Sequence, residues 1–129
     1  MIALQTVLLV EDSKISIVER RQCLNKAGYQ VFVAVDGLEA LSVARDNQPD
    51  LILLDMMLPK LDGPSVLRAL KADASTAQIP VIVVTGLSRN NEERLLNDGA
   101  AAFVGKEQLQ RGNGPLLYTI KKVLGGLTP

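Results

Sequence analysis

Five polar side chains stand directly after apolar runs of the chain. Glu11 and Asp12 follow Val7-Leu8-Leu9-Val10, and Asp55 follows Leu51-Ile52-Leu53-Leu54. Thr85 follows Val81-Ile82-Val83-Val84, and Lys106 comes just after Ala101-Ala102-Phe103-Val104. Brought together, they would make a crevice of three carboxylates, a hydroxyl and an ammonium. Crowded carboxylates repel and raise one another's pKa. A hard divalent cation with oxygen ligands removes that conflict, and Mg²⁺ suits it, because it takes one or two carboxylates and keeps several waters. Lys106 adds positive charge, and Thr85 offers a hydrogen bond to a phosphoryl oxygen. Asp55 is then left as a nucleophile facing an electrophilic phosphorus, the chemistry that forms aspartyl phosphates. Phosphoryl transfer asks mainly for positioning and charge stabilisation, which these groups can supply. The chain has no histidine, so a Ser-His-Asp triad, a histidine base and an imidazole metal ligand are all excluded.

The elements that must position these residues are legible in the periodicity. The four runs above, with Val31-Phe32-Val33-Ala34-Val35, are short and continuously apolar. Continuous rather than alternating apolarity predicts burial on both faces, as in a parallel sheet covered by helices. Helices are expected between them. The first spans about Ser13 to Ala27 and stops at Gly28; Ile17, Leu24 and Ala27 share its thin apolar face, which Arg20 and Arg21 interrupt. The second starts after Asp36-Gly37, with Leu38, Leu41 and Ala44 at helical spacing. The third starts near Gly63-Pro64, with proline in the first turn and Val66, Leu67 and Leu70 facing inward. The fourth runs from about Arg89 to Asp98, and the fifth from Pro115 to Leu124, after Gly112-Asn113-Gly114. This alternation predicts an α/β fold, a doubly wound (βα)₅ sandwich on a five-stranded parallel sheet. In such a sheet the carboxyl ends of the strands form one edge, where ligands bind, and all five polar residues belong to that edge.

The totals agree. A chain of 129 residues, 47% apolar and 22% charged, has enough material for one folded domain and no room for a second of ordinary size. Residues 1–129 are read as one domain with no output domain, Gly125 to Pro129 being a natural end or the start of a linker. Fourteen basic and fourteen acidic residues balance to zero, so nothing points to direct nucleic-acid or membrane binding. One cysteine, Cys23, excludes an internal disulfide and is expected to pack in the first helix. The apolar start lacks a basic segment and runs into Glu11-Asp12, and no apolar run approaches the roughly 18 residues that span a bilayer. A cytoplasmic location is expected.

Nearly the whole chain resembles the receiver domains of bacterial two-component response regulators. The resemblance rests on Glu11-Asp12 after the first strand, Asp55 after the third, Pro59 and Asp62-Gly63 in the loop that follows, Thr85-Gly86 after the fourth, and Lys106 after the fifth. It implies the flavodoxin-like strand order 2-1-3-4-5. It implies that Asp55 is phosphorylated by a sensor histidine kinase or a histidine phosphotransfer protein, the donor histidine coming from the partner. It implies that Asp12, Asp55 and the backbone carbonyl of Met57 bind Mg²⁺, with Glu11 acting through metal-bound water. Lys106 would contact the phosphoryl group, and Thr85 would swing toward it. Space would open for Phe103, reshaping the face of helix four, strand five and helix five toward an output protein or an output domain outside this chain. The domain would be a signalling switch, at most catalysing its own phosphorylation and dephosphorylation.

Two features depart from the family pattern. Phe103 stands where an aromatic with a hydroxyl is common, and Glu107 rather than proline follows Lys106, opening a polar segment to Gly114. Rival readings lack specific residues. A haloacid dehalogenase type phosphatase would carry a second Asp where this chain has Met57. A flavodoxin-type flavin module would offer hydroxyls and amides, not Glu11-Asp12, to a phosphate. A degenerate receiver that only binds a partner would not need Asp12, Asp55, Thr85 and Lys106 together.

Overall fold

The computed structural model describes residues 4–86, 92–109 and 112–125. Five strands form one parallel sheet: β1 (Thr6–Val10), β2 (Gln30–Ala34), β3 (Leu51–Asp55), β4 (Val81–Thr85) and β5 (Ala102–Gly105). Their order is β2-β1-β3-β4-β5, as the resemblance implied. The helices are α1 (Lys14–Lys26), α2 (Gly37–Asn47), α3 (Gly63–Ala72), α4 (Glu92–Asn97), a short α5 (Lys106–Leu109) and α6 (Gly114–Val123).

The continuous apolar runs are explained by two separate cores. Val7, Leu9, Leu51, Leu53, Ile82, Val84 and Val104 pack with Leu24 of α1 and with Leu116 and Ile120 of α6. Leu8, Val10, Ile52, Leu54, Val81 and Val83 pack with α2, α3 and Leu95 of α4. Successive strand residues point to opposite faces, so each face of β1, β3 and β4 needs its own apolar set. Fully burying one such side chain stabilises the fold by about 1.5–3 kcal/mol.

Short polar side chains start the helices. Ser13, Asp36 and Asp62 accept hydrogen bonds from the backbone N–H groups of Ser16, Glu39 and Ser65, satisfying donors that a helix leaves open at its first turn. Gly28 and Gly99 follow α1 and α4 with φ of +96° and +109°, a left-handed turn that a Cβ disfavours.

Some expectations are corrected. Leu38 is 58% exposed, and α2 instead buries Gly37, Ala40 and Ala44. These small residues let the helix approach closely: a Cβ on Gly37 would stand 2.7 Å from Val66 Cγ2 and nearer still to the Leu61 carbonyl oxygen. Ala27 and Val35 are exposed, so Ala27 is not on the buried face of α1, and β2 ends at Ala34. The polar segment after Lys106 begins as α5 rather than as open loop. The expected start of the fourth helix at Arg89, positions 110 and 111 of the polar segment, and residues 126–129 lie outside the described residues.

Candidate functional site

The sheet order brings the chemistry together. The chain turns one way from β1 to β2 and the other way to β3, so the crevice at the carboxyl ends of β1 and β3 lies where the winding reverses. The β1–β3 register pairs Val10 with Leu54, which sets Glu11 beside Asp55. The Glu11 N–H bonds the Ala34 carbonyl at 3.0 Å, extending the ladder past the last strand residue. Glu11, Asp12 and Asp55 each present a carboxylate oxygen within 4.8 Å of the others. Glu11 and Asp55 are buried, and Asp12 is exposed at the rim. The cleft they line has a volume of about 560 Å³ and is completed by Ser13, Ser16, Met56 to Leu58, Asp62 and Lys106.

Asp55 is held from two sides. The Met57 N–H donates to Asp55 Oδ1 at 3.0 Å, and Lys106 Nζ lies 3.2 Å from the same oxygen. Burial alone would raise the pKa of Asp55. The neighbouring Glu11 carboxyl, the Met57 N–H and the Lys106 ammonium outweigh burial and hold it below the ordinary carboxylate value. Burial and the adjacent Asp55 push Glu11 the other way, up to about 7. Glu11 Oε2 is buried with no hydrogen-bond partner among the described residues. An unsatisfied buried oxygen in a carboxylate cluster is the donor set that a hard, oxygen-seeking cation relieves, so these residues fit Mg²⁺.

Thr85 ends β4, buried, and pairs with Gly105. Val83, two residues earlier, pairs with Phe103, so Thr85 and Phe103 project from the same face of the sheet. Phe103 is half-buried against the core on that face. It also borders a groove of about 570 Å³ lined by Leu96 of α4 and Tyr118 and Lys122 of α6. Met57 is exposed beside the cleft, whereas Met56 is both cleft wall and core.

Three contributors were not anticipated from sequence. Arg20 Nη1 lies 3.5 Å from Glu11 Oε1, with both side chains largely buried. The signal was its position between Ile17 and Leu24 on the inward stripe of α1, where a charge needs a partner. Gln108 Oε1 accepts from the Gly105 N–H at 3.0 Å, closing the turn that carries Lys106. Lys60, at φ +67°, pairs with Asp36 Oδ2 at 3.3 Å and ties the β3–α3 loop to the start of α2.

Residues 7–112 match the family model described as the response regulator receiver domain. Over 123 residues the chain is 38% identical to the polar-differentiation response regulator DivK of Brucella anthropi, covering 94% of this chain and 97% of that protein. The signal receiver domain of a signal transduction histidine kinase from Syntrophus aciditrophicus superimposes with a TM-score of 0.84 at 32% identity, covering 96% of this chain and 92% of that one. The receiver domain of the sensor histidine kinase PA1611 from Pseudomonas aeruginosa, solved with a magnesium ion coordinated in its active site cleft, superimposes with a TM-score of 0.78 at 30% identity, covering 95% and 99%. This protein belongs to the response regulator receiver domains of two-component signalling.

Proposed function

We propose that Asp55 is the phosphoacceptor of this domain. The observation that carries the reading is Lys106 Nζ at 3.2 Å from Asp55 Oδ1 in a cleft that also gathers the carboxylates of Glu11 and Asp12. Asp55 stays ionised at neutral pH, as a nucleophile must. An Asp55 carboxylate oxygen attacks the phosphorus of a phosphohistidine on a histidine kinase or phosphotransfer protein. The O–P bond forms, the N–P bond breaks, and the partner's imidazole nitrogen leaves and takes up a proton. Asp12, Asp55 and the Met57 carbonyl would hold Mg²⁺, with Glu11 reached through water. Bound there, Mg²⁺ supplies positive charge to the transferring phosphoryl oxygens. Lys106 supplies the same from the protein side, and Thr85 donates its hydroxyl once the group is in place.

The phosphoryl group brings up to about two negative charges. Thr85 moving toward it frees space on the sheet face it shares with Phe103. A rearranged Phe103 alters the α4–β5–α6 groove, through which we place the output contact, the α6 of this fold being the expected fifth helix. The domain works as a single cytoplasmic switch whose only catalysis is on its own Asp55. Among the described residues no helix is long and apolar enough to cross a membrane.

Incubation with acetyl phosphate and Mg²⁺, followed by intact mass measurement, tests the reading. One added phosphoryl mass is expected, absent in Asp55→Asn. Added mass that survives this substitution would refute it.

A further inference from the structure

The strand ladder continues through Glu11, and alternation turns its side chain toward the layer of α1 and α6, the layer that Leu9 and Val7 also face. From that layer Arg20 reaches it at 3.5 Å, nine residues along the chain and in the second turn of α1. Arg20 lies one turn from Ile17 and one from Leu24 on a helix whose only buried residue is Leu24. A guanidinium on this face displaces apolar contact that α1 has little of, and its ion pair is largely shielded from solvent. The pair occupies Glu11 Oε1, while Oε2 is buried without a hydrogen-bond partner among the described residues, and the same carboxylate belongs to the cluster with Asp12 and Asp55.

We infer that Arg20 is a positioning residue for the metal-binding step: it holds one oxygen of Glu11 so that the carboxylate keeps its place beside Asp12 and Asp55, ready for the cation. The inference rests on the Mg²⁺ site proposed above. Its sign distinguishes it from simple electrostatics. As a bare positive charge near the cleft, Arg20 would weaken Mg²⁺ binding, and its removal would tighten it. As a clamp, its removal loosens Glu11 and weakens binding, in the way that partners of ligating side chains commonly do.

The test is a Mg²⁺ titration of the full chain followed by amide chemical shifts, in wild type, Arg20→Met, Arg20→Lys, Glu11→Gln and the Arg20→Met/Glu11→Gln double variant. Methionine keeps the apolar stem of the arginine. Arg20→Met is expected to weaken Mg²⁺ about tenfold, with Arg20→Lys between it and wild type. In the Glu11→Gln background Arg20→Met is expected to change nothing further, because its effect passes through Glu11. Unchanged or tighter binding in Arg20→Met, or equal weakening with and without Glu11, overturns the inference. If Arg20→Met does not fold, Arg20→Lys decides it: wild-type affinity there overturns the clamp, since the shorter fork-less ammonium cannot reproduce it. Failure of wild type itself to bind Mg²⁺ would instead bring down the proposed site.

Discussion

Lys106 and Asp55 meet across a strand that belongs to neither. β4 lies between β3 and β5, so two strand spacings, roughly 10 Å, separate the backbones of the pair, yet Nζ stands 3.2 Å from Oδ1. Only a long, flexible stem ending in a compact cation crosses that gap. The ammonium therefore hangs over the end of β4, close to where Thr85 sits.

Removing that cation leaves Asp55 to face incoming negative charge with fewer counter-charges. Lys106→Ala is expected to slow phosphorylation by acetyl phosphate about 10²-fold, with folding retained because Lys106 is more than one-third exposed. Time-resolved intact mass measurement checks this, and an unchanged rate would remove Lys106 from the mechanism.

Glu11 sets a pH dependence on the metal-free protein. Its pKa is about 7 in the fold against an ordinary 4.5, so the folded state holds the proton more tightly. Its stabilising contribution is full below about pH 4.5 and is lost as pH rises through 7, by on the order of 1–3 kcal/mol. Asp55 is shifted below its ordinary value of 3.8; its contribution is present above that and is lost only in stronger acid. In EDTA, Tm should fall between pH 5 and pH 8, and Glu11→Gln should flatten the slope. Mg²⁺ should raise Tm most at pH 8, where it need not displace a proton, and Asp12→Ala should abolish that gain. A wild-type melting profile independent of pH would contradict the buried cluster.

Gly63 holds the loop after Asp55 by close approach. Its N–H donates to the Met56 carbonyl at 3.2 Å, and a Cβ would stand 2.5 Å from Met56 Cα. Backbone cannot give way as a flexible side chain can, so Gly63→Ala should cost about 1–3 kcal/mol and shift the Met57 amide in the spectrum. Gly28→Ala is the contrast. It meets no atom within 4 Å but has φ of +96°, so about 1–2 kcal/mol of backbone strain should appear with no change at Met57. Equal effects of the two at Met57 would undo the distinction.

The switch predicts a path from Thr85 to the groove beyond Phe103. Beryllofluoride with Mg²⁺ should move the chemical shifts of Phe103, Leu96 and Tyr118. Thr85→Val keeps the shape but removes the hydroxyl donor, and should leave beryllofluoride binding while suppressing those distant shifts. Full-sized shifts in Thr85→Val would break the proposed coupling.

What the sequence determined by itself is where burial must occur and where it stops. Leu51 to Leu54 and Val81 to Val84 can be satisfied only between two layers, and Asp55 and Thr85 mark the ends of those runs. Residue type encodes the demand for burial, so the parallel sheet and the polar residues gathered at its carboxyl edge could be read one strand at a time. Tertiary structure decided what meets what. Leu38 has the right spacing to be buried, but α2 buries Gly37, Ala40 and Ala44 instead, and at Gly37 the approach of Leu61 and Val66 leaves no room for a Cβ. Arg20 looked like an interruption of an apolar stripe until the register of β1 placed Glu11 opposite it. Gln108 could not be assigned to the Gly105 amide before α5 was known to form. Such pairings depend on strand register, layer assignment and helix rotation, which residues far apart in the chain settle jointly. No local periodicity carries that information.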